Sequence, residues 1–280
     1  MERLYKPHRV IELLKAYGFH MSKSLGQNFL IDGNIVRKIV DLAEVDGENV
    51  LEIGPGLGTL TEEIAARAKR VLAVEIDKRL QPVHEETLAY DNLRVHYDDF
   101  LKMDPVLIDE AFDGEPFVVV SNLPYYVTTA ILTKVIEQTK AKRIVVMVQK
   151  EVARRFSAKP STKDYGSLSV FVQFYAHVSY GFDVPKTVFI PNPNVDSAVV
   201  KFELRDRVAD VDRENLFKIV RGAFSKRRKT LLNALSTYGF DLSKAEIEQA
   251  LEASNIDPKR RAETLTPEEY IVLSINMKVT

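Results

Sequence analysis

The sequence predicts an α/β fold: a doubly wound sheet followed by a small all-helical C-terminal domain. Three observations carry this. Between residues 50 and 156, short apolar runs alternate with segments of helical period. A glycine-rich turn, Gly54-Pro55-Gly56-Leu57-Gly58, follows the first of those runs and opens a helix. From about Arg213 onward the pattern is helical only, after a composition shift over residues 205–212. The expected domains are therefore residues 1–205 and 206–280.

Taken in order, residues 11–17 read as a short amphipathic helix closed by Gly18. Residues 22–30 are polar and contain a glycine, which predicts an ordered loop, and residues 35–43 return to helical period. Strands are expected at 50–53, 71–76 and 93–97, with helices at 60–68 and 80–88 between them. The apolar run Phe117-Val118-Val119-Val120 reads as a buried strand, followed by a helix over 129–138, a strand over 144–148 and a helix over 151–156. Residues 168–176 fit helix and strand equally well. Pro185, Pro191 and Pro193 punctuate the next stretch, and residues 197–204 alternate like an exposed strand. Helices are then expected at 214–224, 229–235, 245–253 and 267–275.

Composition narrows the function classes. At 280 residues, 45% hydrophobic and 28% charged, the chain is long enough for two soluble globular domains. No apolar stretch approaches the roughly 20 residues of a membrane helix. The first fifteen residues carry scattered charges and no signal-peptide core. A cytoplasmic, membrane-free protein is expected. With no cysteine, disulfides, thiolate-bound zinc and thiolate adducts to pyrimidine rings are excluded. The five histidines are scattered with no helical ligand spacing, so no metal is expected. The net charge of −1 hides an uneven distribution, with Lys6, Arg9, Lys15 and Lys23 near the start and Arg221, Lys226, Arg227, Arg228 and Lys229 clustered later. Such local basicity suits nucleic-acid binding on one face, although a solvated charged face is the commoner meaning of any single cluster.

The most informative segment is Asn122-Leu123-Pro124-Tyr125, at the end of the 117–120 strand. It offers two carbonyl acceptors and an aromatic face, a set that suits the exocyclic amine of a planar base. The amine of adenine is a poor nucleophile because its lone pair is delocalised into the ring. Acceptors bonded to its hydrogens would draw the nitrogen toward a pyramidal, nucleophilic geometry, and a stacked tyrosine would hold the base. A Pro-stiffened turn with a locally packed tyrosine is the competing reading of the tetrad alone.

Upstream residues supply a second half. The turn after Glu52-Ile53 has G-x-G-x-G spacing, not the G-x-G-x-x-G of a dinucleotide site. Glu52 would repel a pyrophosphate there but suits a cationic, amino-acid-like ligand. Glu75 ends the next expected strand, where a carboxylate takes ribose hydroxyls, and Asp98-Asp99 ends the third, where one can accept from an adenine amine. For each acid taken alone, a surface residue at a strand end is the competing reading. The ordered combination of glycine turn, acid, acid and tetrad is more specific than any member.

With these segments in view, the chain resembles the S-adenosylmethionine-dependent rRNA adenine N6,N6-dimethyltransferases, most closely the bacterial KsgA type. The resemblance runs over nearly the whole chain, through Lys23-Ser24-Leu25-Gly26-Gln27-Asn28-Phe29-Leu30, Leu51 to Gly58, Val74-Glu75-Ile76-Asp77, Asn122 to Tyr126, Gln149-Lys150-Glu151-Val152, Val188 to Ala198 and Ala223 to Leu231. It implies a Rossmann-like methyltransferase sheet with a helical C-terminal domain, and S-adenosylmethionine as cofactor. It implies that Asn28 and Leu30 cover the methionine end of that cofactor, that Gly54 and Gly56 form its floor, and that Asn122 also borders it. Glu75 would hold its ribose and Asp99 its adenine. Asn122, through its side-chain oxygen, and Leu123, through its carbonyl, would accept from the target N6, with Tyr125 stacked on one face of the base and Phe189 on the other. Lys150, Arg221, Arg227, Arg228 and Lys229 would grip RNA phosphates. The implied substrate is a pair of adjacent adenines near the 3′ end of 16S rRNA, in a small ribosomal subunit or its precursor, met by a monomer.

The chain departs from the family in two places. Asn192 stands between Pro191 and Pro193 where proline is common, and Asp98 stands where the family more often has Gly or Gln. The second departure leaves Asp98 and Asp99 as alternatives, with the spacing to Leu101 favouring Asp99. Competing functions are Erm-type methylation of 23S rRNA, a ribosome-assembly or RNA-binding factor with incidental methylation, and, more remotely, a DNA adenine methyltransferase or a dehydrogenase.

Overall fold

The structure is a computed structural model that describes residues 2–19, 26–205, 211–226 and 228–279. The first part of the expected 22–30 loop and Arg227 lie outside the described residues. The chain divides into two compact units, Met1–Ala153 with Ser179–Leu204, and Arg154–Val178 with Arg205–Thr280.

The first unit is organised by β1 (Phe29–Leu30), β2 (Asn49–Ile53), β3 (Arg70–Glu75), β4 (Leu93–Tyr97), β5 (Phe117–Asn122), β6 (Ala141–Gln149), β7 (Ala176–Val184), β8 (Phe189–Ile190) and β9 (Ser197–Leu204). The main sheet has seven strands in the order β4-β3-β2-β5-β6-β9-β7. From β4 to β6 neighbouring strands are parallel, and β9 runs antiparallel to β6 with Val146 opposite Val200. Central parallel strands are covered on both faces, which is why β2 and β5 are buried at successive residues instead of alternating. The strand order reverses at β2, whose neighbours are β3 and β5. Ligands of such sheets bind beyond the carboxyl ends of strands at this switch point.

The helices of this unit are α1 (Pro7–Ala16), α2 (Gly33–Ala43), α3 (Thr59–Ala65), α4 (Gln81–Thr87), α5 (Val106–Ala111) and α6 (Thr128–Gln138), and α7 (Lys150–Ser157) begins in it. Proline opens α1, where its missing N–H costs nothing. Asp32 caps α2 by accepting from the Asn34 and Ile35 N–H groups. The buried face of α2, with Val36, Ile39, Val40 and Ala43, joins Val50, Val118, Val145 and Val199 of the sheet in one core.

The second unit holds α8 (Ser167–Tyr175), α9 (Arg213–Phe224), α10 (Leu231–Leu235), α11 (Lys244–Ala253) and α12 (Pro267–Asn276). Ser243 with Glu246 and Thr266 with Glu269 form reciprocal capping boxes that start α11 and α12. Asn215 is buried in α9, and its amide donates to the Ser274 and Met277 carbonyls, closing the end of α12.

Three features differ from the sequence expectation. Residues 168–176, ambiguous by period, form α8, because Phe171, Phe174 and Tyr175 pack around Phe217 of α9. That aromatic cluster places Arg154–Val178 with the C-terminal helices, whereas a single cut at 205/206 assigns the segment to the first domain. The strand β7 and the short helix α5 were not expected: β7 is exposed along most of its length and lacks a clean alternation, and α5 spans only six residues.

Candidate functional site

The glycine turn after β2 is built on left-handed backbone. Gly56 has φ 59°, and a Cβ there would lie 3.2 Å from the Phe29 ring. Gly58 has φ 88°, and its Cβ would lie 2.8 Å from Leu88. Both conformation and space therefore demand glycine at these positions. The Gly56 N–H donates to Glu75 Oε2 at 3.0 Å, while Glu75 Oε1 accepts from the Asp77 N–H at 2.8 Å. Glu75 is 4% exposed, and burial pushes its carboxyl pKa up to about 7. Glu52, on β2, is 1% exposed and its Oε2 has no hydrogen-bond partner. Burial pushes its pKa up to about 8.

These groups border a solvent-open cleft of about 780 Å³ beyond the carboxyl ends of β2, β3 and β5. Of the residues expected from the sequence, Asn28, Leu30, Gly54, Gly56, Glu75, Asn122, Leu123 and Tyr125 all line it, together with Glu52. Segment 26–30 closes one side: Phe29 and Leu30 pair with Ile190 and Phe189 of β8, and Gln27 donates to Asp77 at 2.8 Å. The chain thus brings residues 26–30, 52–56, 75 and 122–125 to one place.

The tetrad hangs from the end of β5. The Leu123 N–H donates to the Met147 carbonyl at 3.1 Å, and Asn122 Nδ2 donates to the Asn28 carbonyl at 3.2 Å. That bond orients the amide so that Oδ1 is the remaining acceptor. No described residue donates to Asn122 Oδ1 or to the Leu123 carbonyl, so two successive cleft-lining residues each keep an acceptor. Tyr125 is half-buried and its hydroxyl bonds Ser197 Oγ at 2.8 Å, which fixes the ring.

Some expected residues lie elsewhere. Phe189 is 1% exposed and packs in the core with Leu30, Val36 and Val199, so it does not line the cleft; its pairing with Leu30 turns it inward. Asp99 also falls outside the cleft lining, and its Oδ1 accepts from the Leu101 N–H at 3.0 Å. Between the two acids, Asp98 is the more exposed and Asp99 the more enclosed. Lys150 donates to Asp183 at 2.6 Å, so its charge is already paired, while Arg221, Arg228 and Lys229 are exposed.

Four supporting residues escaped the sequence reading. Ser197 anchors Tyr125. Lys134, buried on α6, donates to the Leu101 and Met103 carbonyls and steadies the loop after β4. His84 and Tyr97 bond each other, and His84 also bonds the Gly56 carbonyl. His84 was detectable in principle, because it shares a helical stripe with Leu80 and Leu88. Among the described residues, no cluster of His, Asp and Glu could hold a metal ion, and no helix is long and apolar enough to cross a membrane.

Comparison with known proteins agrees with this geometry. The family model described as "Ribosomal RNA adenine dimethylase" matches residues 18–277. A protein of Alkaliphilus oremlandii named ribosomal RNA small subunit methyltransferase A is 51% identical, with 99% of each chain covered. Its namesake from Bacillus licheniformis is 52% identical over 97% of this chain and 96% of its own. Among solved structures, a dimethyladenosine transferase from Plasmodium falciparum aligns with TM-score 0.75 and 26% identity, covering 88% of this chain and 95% of that one. The 23S rRNA methyltransferase ErmE aligns with TM-score 0.68 and 28% identity, covering 89% and 98%. The sheet, the cleft at its switch point and these matches together place the chain in the ribosomal RNA adenine dimethylase family of S-adenosylmethionine-dependent methyltransferases.

Proposed function

We propose that this protein methylates N6 of two adjacent adenines in a loop near the 3′ end of 16S rRNA, giving N6,N6-dimethyladenosine during small-subunit biogenesis. The names of the relatives at about half identity support the small-subunit substrate. The observation that carries the chemistry is the pair of acceptors without a donor among the described residues, Asn122 Oδ1 and the Leu123 carbonyl, on cleft-lining residues beside the held ring of Tyr125.

S-adenosylmethionine supplies a methyl group already activated on a sulfonium. The cleft residues fit it: the buried Glu52 carboxyl, whose Oε2 has no hydrogen-bond partner, suits the cationic amino-acid end, and Glu75 suits the ribose hydroxyls. Asn28, Leu30, Gly54 and Gly56 border the same space, and we assign Asp99 to the adenine end. For the target base, Asn122 and Leu123 accept the N6 hydrogens and Tyr125 offers a stacking face. Catalysis is then chiefly positioning. No side chain must remove a proton before the bond forms. The adenine must leave its stack to enter, which costs less in a loop than in a duplex. We assign Lys150, Arg221, Arg227, Arg228 and Lys229 to RNA phosphates, with a single copy of the chain acting in the cytoplasm.

The test is nucleoside mass spectrometry after incubation with S-adenosylmethionine and, in parallel, unmethylated small subunits, naked large-subunit RNA and DNA. Dimethyladenosine in small subunits alone is the expected result. Product in large-subunit RNA would move the protein to Erm-type activity. Tight particle binding without product would favour an assembly factor.

A further inference from the structure

Gly56 is held through both of its backbone groups. Its N–H donates to Glu75 Oε2 at 3.0 Å, and its carbonyl lies 2.6 Å from His84 Nε2. A carbonyl can only accept, so Nε2 carries a hydrogen. In the neutral ring this leaves Nδ1 as an acceptor, and the Tyr97 hydroxyl lies 2.8 Å from it. The two rings also stack, with centroids 5.8 Å apart and planes at 20°. His84 is 3% exposed, and its own burial lowers its pKa, which favours the neutral form.

This chain of bonds connects four elements. Tyr97 ends β4, directly before Asp98 and Asp99; His84 lies on α4; Gly56 is the middle of the glycine turn; and Glu75 ends β3. Nothing in the core requires a histidine on the buried stripe of α4, where Leu80 and Val83 are its buried neighbours. A buried imidazole needs partners for both nitrogens, and here one of them, Gly56, lines the cleft.

We propose that His84, set in its Nε2–H tautomer by the Gly56 carbonyl and buttressed at Nδ1 by Tyr97, is a positioning residue for cofactor binding. It fixes the backbone of the turn at Gly56, whose N–H in turn holds Glu75, so that Glu75 is presented to the cofactor in one orientation. His84 touches neither cofactor nor target base, so its contribution belongs to cofactor affinity and not to the chemical step. The proposal rests on the reading of this cleft as the S-adenosylmethionine site.

The test is calorimetric titration of the full-length protein with S-adenosylmethionine, joined to steady-state methylation of small-subunit particles. His84→Phe is expected to weaken cofactor binding about tenfold, as loss of a buried hydrogen-bonded group implies. At saturating cofactor, kcat should stay within about twofold, so the effect falls on the cofactor KM. His84→Gln keeps a donor for the Gly56 carbonyl and should recover most of the affinity. Tyr97→Phe should weaken binding in the wild-type background but not in His84→Phe, because the hydroxyl acts only through the imidazole. Unchanged affinity in both His84→Phe and Tyr97→Phe overturns the proposal, as does an equal fall in kcat or in RNA affinity. If His84→Phe fails to fold, Tyr97→Phe decides: weakened cofactor binding supports the proposal and unchanged affinity overturns it. If the wild-type protein itself shows no binding of S-adenosylmethionine, the reading of the cleft has failed, which is a different result.

Discussion

Glu52 sits in β2 with one carboxylate oxygen unpartnered and a pKa pushed up to about 8, and Glu75 is raised to about 7. In the unfolded chain both would titrate near the ordinary carboxylate value of about 4.3. Between that value and the raised one, the native state binds protons that the unfolded state has released. The stability this contributes is whole below pH ~4 and is lost as pH rises through about 7 and 8. Without cofactor, the wild-type protein should therefore lose Tm from mildly acidic to mildly alkaline pH more steeply than Glu52→Gln, as followed by calorimetry; parallel slopes would contradict the burial argument. The cationic cofactor should reverse the sign of Glu52's effect, with affinity rising over the same window in wild type and less so in Glu52→Gln. Asn122 makes a separate prediction. Asn122→Ala removes the acceptor that we assign to the reacting amine, so single-turnover methylation should fall about 10²- to 10³-fold. Cofactor affinity, measured by titration, should change only a few-fold.

At the level of elements, sequence period was informative wherever an element has one wet face or two dry ones. The strand bounded by Leu93 and Tyr97 and the strand bounded by Ser197 and Leu204 coincide in extent with their sequence expectation, but the second, which reads as exposed, is buried over its first four residues because it lies inside the sheet between β6 and β7; α2, α6, α9, α11 and α12 lie within a residue or two of theirs. α8 could not be assigned, because Phe171, Phe174 and Tyr175 satisfy either period until Phe217 is placed beside them. The short pair β1–β8 was also hidden, since two residues carry no period. Lys134 shows how one element can depend on another. Its ammonium on α6 is buried and satisfies the carbonyls of Leu101 and Met103 in the loop after β4. Lys134→Met keeps the stem but leaves both acceptors unmet, and should destabilise the protein by about 2–4 kcal/mol in urea unfolding. A loss under half a kcal/mol would mean that water replaces the ammonium.

For the whole molecule, the net charge of −1 means that RNA affinity must come from local basic groups and not from a global field. Arg228 and Lys229 are exposed in the helical unit. If they contact phosphates, Arg228→Ala with Lys229→Ala should lower the slope of log affinity against log salt by about 1 to 2, whatever the RNA sequence. Filter binding across a salt series reads this directly, and an unchanged slope would return the cluster to an ordinary solvated face. Sequence alone determined the alternation of strands and helices, the G-x-G-x-G turn, the acid at Glu75 and the Asn122 to Tyr125 tetrad, because each is a local pattern that backbone sterics and side-chain period make readable. Tertiary structure decided which of those groups meet and which remain uncovered. It turned Phe189 into the core, left Asp99 outside the cleft lining, joined Arg154–Val178 to the C-terminal helices, and put His84, Tyr97, Lys134 and Ser197 behind the site. The reason is physical: an acceptor is free or satisfied according to the segments folded against it, and those segments lie tens of residues away, beyond the reach of any local period.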